Sequence, residues 1–211
     1  MASTADRPSE VSPAKPLRAD AQRNRELVLR TAAEIFATEG LSVPVHEIAR
    51  RAGVGTGTVS RHFPTKEDLF VAVLLEQMRL LADFADTLAA EQGAGAAFIS
   101  LFTRVIREGA AHRGLAEALA GAGFEVETVA EEAGFGIATR LRALLARAQQ
   151  DGTVRTGITY ADIKALMTGC LARAADDNRS DAAGRDIDGG LDRVIAVVVA
   201  GLRPLPGSST Q

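Results

Sequence analysis

The segment from Pro44 to Pro64 constrains the fold more than any other part of the chain. Pro44 sits where a first helical turn tolerates a missing N–H, Ile48 and Ala49 make a short inward face, and Gly53 closes the segment, so a helix over Val45 to Ala52 is expected. A second short helix follows from about Thr56 to Phe63, with Val59 and Phe63 one turn apart as its buried pair, and Pro64 ends it. Upstream, Val28, Ala32, Ile35 and Phe36 fall at i, i+4, i+7 and i+8. They form one face of a helix running from near Asp20 to about Glu39, where Gly40 stops it. A longer helix followed by two short ones about a Gly53-Val54-Gly55 turn is the helix-turn-helix plan.

The rest of the chain keeps the helical period. Alanine and leucine dominate and no run alternates with β-branched enrichment, so the expected fold class is all-α. Leu69, Phe70, Val73, Leu74, Gln77, Leu80, Leu81, Phe84 and Leu88 mark a long amphipathic helix leading away from the helix-turn-helix unit, and Gly93 and Gly95 mark its end. Further helices fit Ala96 to Ala110, Gly114 to Ala120, Val126 to Gln150, Tyr160 to Ala175 and Ile187 to Leu202. The stretch from Asp176 to Gly184, rich in Asp, Asn, Ser and Gly, reads as an exposed loop. The expected organisation is a disordered arm (1–17), a helix-turn-helix unit (18–66), a larger helical unit (67–203) and a flexible tail (204–211).

Composition narrows the function classes. At 211 residues, 46% apolar and 24% charged, the chain can bury a core and is too apolar to be disordered throughout. A single cysteine, Cys170, forms no internal disulfide, and no cysteine and histidine group has zinc spacing, so a reducing cytoplasm is expected. Apolar runs such as Ile195 to Ala200 fall far short of the roughly 20 residues that span a bilayer. Met1 to Leu17 lacks the apolar stretch of a signal peptide. A net charge of −3 disfavours nucleic-acid binding by the chain as a whole, but residues 1–79 hold 11 Lys and Arg against 10 Asp and Glu, and the remainder 13 against 17. Arg18, Arg23, Arg25 and Arg30 precede or enter the first helix, and Arg50, Arg51, Arg61 and Lys66 fall in one short stretch, a local basic footprint.

Ala32, Ile35 and Phe36, then Gly40, Ile48-Ala49, Ala52-Gly53-Val54, Gly57-Thr58-Val59, His62-Phe63 and Lys66-Glu67 with Leu69 follow in the order and spacing of a known domain. Over Arg25 to Phe70 the chain resembles the DNA-binding domain of TetR-type bacterial transcription regulators. Beyond Leu80 the resemblance is one of layout, an all-helical C-terminal domain for ligand binding and dimerisation. It implies a cytoplasmic homodimer on double-stranded DNA at a palindromic operator, acting as a repressor released by a small-molecule effector. Carried over position by position, the DNA contacts fall on His46, Thr56, Gly57, Thr58, Ser60, His62 and Lys66, with Arg61 beside them.

The chemistry of these residue types agrees. A helix in a major groove presents short polar side chains to base edges while its other face anchors it. With Val59 and Phe63 inward, Thr56, Thr58, Ser60, Arg61 and His62 turn outward and Gly57 allows the backbone a close approach. The free N–H groups at the helix start suit a phosphate, and Lys66 is placed to meet the DNA backbone. The family commonly has tyrosine where this chain has Ser60, so that contact must be closer, water-mediated or replaced by Arg61. Arg18, Arg23 and Arg25 are candidates for added phosphate or minor-groove contacts.

In the larger unit the apolar residues read first as core, with room for a pocket. Phe84, Phe98, Phe102, Ile106, Leu119, Phe124, Phe135 and Met167, with Leu115 and Leu144, are the candidate lining, and Arg104, His112 or Thr168 the polar fixing point. With no Trp and one Tyr, a large planar cation is not suggested, and an apolar or weakly acidic small ligand is expected. The last two long helices, which in the family form a four-helix interface, carry the candidate dimer face: Ile163, Leu166, Met167, Cys170, Leu171, Leu191, Val194, Ile195, Val198 and Val199. The run Val197-Val198-Val199 is wider than a one-sided surface helix needs.

No cofactor, metal or enzymatic chemistry is expected. The Gly53-x-Gly55-x-Gly57 run follows a helix rather than a strand, Glu125, Glu127, Glu131 and Glu132 have no histidine near them in sequence, and His112 and Cys170 lack a triad partner. Two other readings stay open, a DNA-binding regulator with no small ligand and a helical ligand carrier.

Overall fold

The computed structural model describes residues 14–181 and 190–204. Among them are ten helices and no strand: α1 (Ala14–Thr38), α2 (Val45–Arg51), α3 (Thr56–His62), α4 (Lys66–Glu91), α5 (Ala94–Ala111), α6 (Arg113–Gly121), α7 (Val126–Glu132), α8 (Ile137–Gln150), α9 (Tyr160–Asp181) and α10 (Gly190–Leu202). The all-α expectation holds.

Two apolar cores organise them. The first gathers Leu29, Ala32 and Phe36 of α1, Ile48 of α2, Val59 of α3, Phe63, and Leu69, Phe70 and Val73 of α4. Val59 is 0% and Phe63 5% exposed, so the recognition segment is held by the pair expected to anchor it. The second core packs Leu88 of α4, Phe98 and Phe102 of α5, Leu141 and Leu144 of α8, Ile163 of α9 and Ile195 of α10. Burying such side chains contributes roughly 1.5–3 kcal/mol each, enough to hold short helices that are marginal alone. α4 belongs to both cores. So does the larger helical unit's reach: Leu115 and Leu119 of α6 are buried in the first core, not the second.

Local chemistry sets the helix ends that position the site. Gly53 adopts φ +67°, and the Val54 N–H donates to Ala49 C=O at 3.0 Å while the Gly53 N–H donates to Arg50 C=O at 3.2 Å. This paired closure, with a left-handed glycine just past the helix, ends α2 and turns the chain into α3. Thr65 caps α4: its hydroxyl accepts from the Asp68 N–H at 3.0 Å, and the Asp68 carboxylate accepts from the Thr65 N–H at 3.0 Å.

Three expectations about elements need correction. α1 starts at Ala14 rather than near Asp20, because Pro16 falls in its first turn, where a missing N–H costs nothing. The helix expected over Val126 to Gln150 is two helices, because Gly134 at φ +79° closes α7 and Gly136 at φ +33° opens α8. The stretch from Asp176 to Asp181 is not loop but the end of α9, since no Gly or Pro occurs there and Asp and Asn cost a running helix only tenths of a kcal/mol, up to about 0.7. The arm at 1–13, residues 182–184 of the expected loop, 187–189 of the expected last helix and the tail at 205–211 lie outside the described residues.

Candidate functional site

The polar face of α3 is built from its packing. Because Val59 and Phe63 point into the first core, Thr56, Gly57, Ser60, Arg61 and His62 are exposed and Thr58 is half-buried. The hydroxyls of Thr56, Thr58 and Ser60 have no hydrogen-bond partner among the described residues, and Arg61 has no ion-pair partner there. His46 is exposed on α2. Lys66 is half-buried at the start of α4, its Nζ 5.7 Å from the centroid of the Phe70 ring. This surface combines free hydroxyls, an imidazole, a free guanidinium and an ammonium on a short helix whose reverse face is locked, a set suited to base edges and phosphates.

Four other arginines of the basic footprint are engaged within the chain, while Arg30 is exposed. Arg50 donates to both Glu47 carboxylate oxygens at 2.7 Å, and Arg51 donates to Glu47 at 2.7 Å and to Glu39 at the end of α1. The hydrogen bonds from Arg50 and then Arg51 hold the Glu47 carboxyl at about 2, well below its ordinary value, and the hydrogen bonds with Glu39 and then Glu47 push the Arg51 guanidinium up. Arg51 therefore ties α2 to α1. Arg23 pairs with Asp20, and Arg25 lies over the Phe63 ring at 5.7 Å. Sequence reasoning missed these pairs, although the Glu47 to Arg51 spacing of one turn signalled the one inside α2.

A partly open cavity of about 1430 Å³ lies between α4, α5, α6, α7, α8 and α9. Leu74, Met78 and Leu81 of α4, Val105 of α5, Ala116 and Ala120 of α6, Ile137 and Leu141 of α8, and Tyr160, Met167 and Leu171 of α9 give it apolar walls. Its polar lining is Gln77, Glu108, His112, Arg113, Glu117, Glu125, Thr128, Glu131, Glu132 and Thr168. His112 Nε2 lies 3.5 Å from the Glu108 carboxylate, which Arg104 also meets at 2.7 Å. The contact with His112 holds the Glu108 carboxyl below its ordinary value.

Of the residues expected to line a pocket, Phe124 and Met167 face this cavity, as do His112 and Thr168. Phe98, Phe102, Ile106 and Leu119 do not, being at most 1% exposed within the two cores. Phe84 carries Arg104 over its ring at 5.7 Å, and Phe135 lies in the α7–α8 turn; neither lines the cavity. The physical reason for the four core residues is close packing: their side chains fill the inward faces and leave the void to the residues beside them.

The candidate dimer face needs a similar correction. Ile163, Cys170 and Ile195 are buried in the chain's own second core and have no surface left to offer a partner, and burial pushes the Cys170 thiol up. Met167 and Leu171 face the cavity. Leu166, Leu191, Val194, Val198 and Val199 pack half-buried against that core, while Val197 is 72% exposed. No group of three or more His, Cys, Asp or Glu side chains placed to hold a metal ion occurs among the described residues. No helix among them is long and apolar enough to cross a membrane.

Comparison with known proteins bears on both halves. The profile of bacterial regulatory proteins of the tetR family matches residues 28–73, and that of the SbtR-like transcriptional regulator C-terminal domain matches residues 93–204. A TetR transcription regulatory protein of Mycobacterium vanbaalenii is 44% identical, with 90% of this chain and 100% of that one covered and a TM-score of 0.71. A TetR transcriptional regulator of Streptomyces coelicolor is 30% identical over 85% of this chain and 98% of that one, with a TM-score of 0.67. FadR of Bacillus subtilis, solved with stearoyl-CoA, shares the fold at 19% identity over 84% of this chain and 99% of that one, TM-score 0.56. An HTH-type transcriptional regulator of Staphylococcus aureus is 37% identical over 59 residues, so the match spans 28% of this chain and about a third, 32%, of that relative. One profile covers the segment that carries the outward polar face and the other covers over half of the 211 residues, so the chain belongs to the TetR family of DNA-binding transcriptional regulators.

Proposed function

We propose that the chain is a cytoplasmic homodimeric repressor that binds a palindromic operator through α3 and is released when a small effector occupies the cavity. The observation that carries this reading is the double duty of α6. Leu115 and Leu119 are buried in the core that also holds Val59, Phe63 and Phe70, while Ala116, Glu117 and Ala120 on the same helix line the cavity. α4 repeats the arrangement, with Leu74 in that core and lining the cavity too. A molecule entering the cavity presses on helices that are also walls of the DNA-binding unit. Its effect is a population shift bounded by the difference in its affinity for the two arrangements.

Dimerisation is supported by arithmetic and by surface. One short recognition helix makes too few contacts for specific binding, whereas a two-fold dimer sets two of them one helical turn apart on a palindrome. Val197, with the half-buried Val194 and Val198 beside it, supplies an apolar strip on α10. A regulator without a small ligand is the weaker reading, because about 1430 Å³ exceeds the roughly 300–1,000 Å³ of ordinary ligand pockets. The stearoyl-CoA complex of the Bacillus subtilis neighbour accords with a ligand in a regulator of this fold. Sedimentation of the protein alone and with its selected operator tests the proposal: two chains on one palindrome are expected, and a monomer on DNA contradicts it.

A further inference from the structure

The cavity's charge is one-sided. Five carboxylates line it, those of Glu108, Glu117, Glu125, Glu131 and Glu132, against a single Lys or Arg, Arg113. Arg113 is already taken by Glu117 at 2.6 Å, and Glu131 and Glu132 have no hydrogen-bond or ion-pair partner among the described residues. Apolar walls beside a single sign of charge focus the field into the space between them. An acid or an acyl thioester entering here would meet repulsion and no free cation.

A second observation sharpens the chemistry. His112 lines the cavity with its side chain 11% exposed, and its Nδ1 is buried without a hydrogen-bond partner. Because Nε2 faces the Glu108 carboxylate, Nε2 carries the proton in the neutral ring and Nδ1 is left as an acceptor that lacks a donor. Nδ1 has no accessible surface, so it does not reach a molecule in the cavity, and Glu108 is already held by His112 and Arg104; the carboxylates left for a ligand are those of Glu131 and Glu132. Tyr160 and the exposed Phe124 are the aromatic side chains of the lining, too few to enclose a flat polycyclic cation. The rest of the apolar wall is aliphatic.

We propose that the effector is an amphiphilic amine, an aliphatic body on the apolar walls with a protonated head at the unpaired carboxylates of Glu131 and Glu132. This rests on reading the cavity as the effector site. It departs from the apolar or weakly acidic ligand expected from sequence, because the lining carboxylates, Glu108 of α5, Glu117 of α6 and Glu125, Glu131 and Glu132 at α7, are brought to one cavity only by the fold.

The test uses the full-length protein, titrated calorimetrically with three ten-carbon probes, decylammonium, decan-1-ol and decanoate, at about 50 mM salt where charge is weakly screened. Decylammonium is expected to bind at least about tenfold more tightly than decanoate. Glu131→Gln with Glu132→Gln, at exposed positions that do not threaten the fold, is expected to cut decylammonium affinity several-fold and leave decan-1-ol unchanged. Glu91→Gln, a charge removed outside the cavity, is expected to do nothing to either. Equal or tighter binding of decanoate, or decylammonium binding indifferent to the α7 pair, overturns the amine while leaving the cavity as an effector site. Binding of none of the three overturns the amine and removes the support for an effector cavity as well.

Discussion

Phe36 of α1 meets Phe70 of α4 edge to face, ring centroids 5.1 Å apart and planes at 87°. The contact makes the first turns of the long helix part of the DNA-binding core, so a displacement of α4 reaches α1 and, through the shared core, α3. An edge-to-face pair contributes roughly 0.5–1.5 kcal/mol beyond its burial. Phe70→Ala is expected to lose about 3–5 kcal/mol of stability, read as a lower urea midpoint at constant slope.

The outward residues of α3 and the start of α4 separate into two classes. Thr58→Ala and His62→Ala are each expected to lower operator affinity by about 1–3 kcal/mol with little change on unrelated DNA, helix content and mass unchanged. Lys66→Ala is expected to weaken binding to all sequences and to reduce the salt dependence by about one unit of slope. Fluorescence anisotropy on operator and scrambled duplexes across a salt series checks both. Equal losses on the two duplexes for Thr58 and His62 contradict their role in reading sequence.

Gly53 and Gly57 are predicted to respond in opposite ways. Gly53 holds φ +67° with open space around its missing Cβ, so Gly53→Ala is expected to cost about 1–2 kcal/mol through backbone strain alone. Gly57 has ordinary helical backbone and open space too, so Gly57→Ala is expected to raise stability by up to about 1 kcal/mol. If the backbone approaches DNA there, the same substitution weakens operator binding. Urea unfolding beside anisotropy separates the two effects.

The carboxylate–guanidinium cluster of α2 sets a pH dependence. Arg50 and Arg51 hold the Glu47 carboxyl at about 2, below its ordinary 4.5, so the ionised form is favoured by folding. Its contribution is fully present above pH 4.5 and is lost as pH falls from there through about 2. Glu47→Gln is expected to flatten the acid limb of the stability curve between those values, and carboxyl titration by NMR should place Glu47 below the exposed glutamates. A Glu47 titration near 4.5 contradicts the Glu47–Arg50–Arg51 cluster.

The helix-turn-helix unit was legible because its signals are local. Pro44, Gly53 and Pro64 punctuate the chain, and Val59 with Phe63 repeats at one helical turn, so each boundary follows from neighbouring residues. The Thr65-x-x-Asp68 cap was equally local and passed unread. The break at Gly134 was masked because Val129, Ala133, Ile137 and Leu141 keep helical spacing across it. The cavity was not legible, since Phe98, Phe102 and Ile106 have the composition of a lining and the packing of a core. Only tertiary arrangement decides between those. For the same reason Ile163 and Cys170, read as an interface, turned out to be interior.

The most direct measurement is selection of bound fragments from the source genome with effector-stripped protein, followed by footprinting of the best fragment at near-physiological salt. The expected result is a protected palindrome whose half-sites lie one helical turn or a whole multiple apart, with protection lost in the Thr58→Ala and His62→Ala proteins. A footprint without two-fold symmetry, or no enriched fragment from protein shown by mass spectrometry to carry no ligand, contradicts a dimeric regulator that reads DNA through α3.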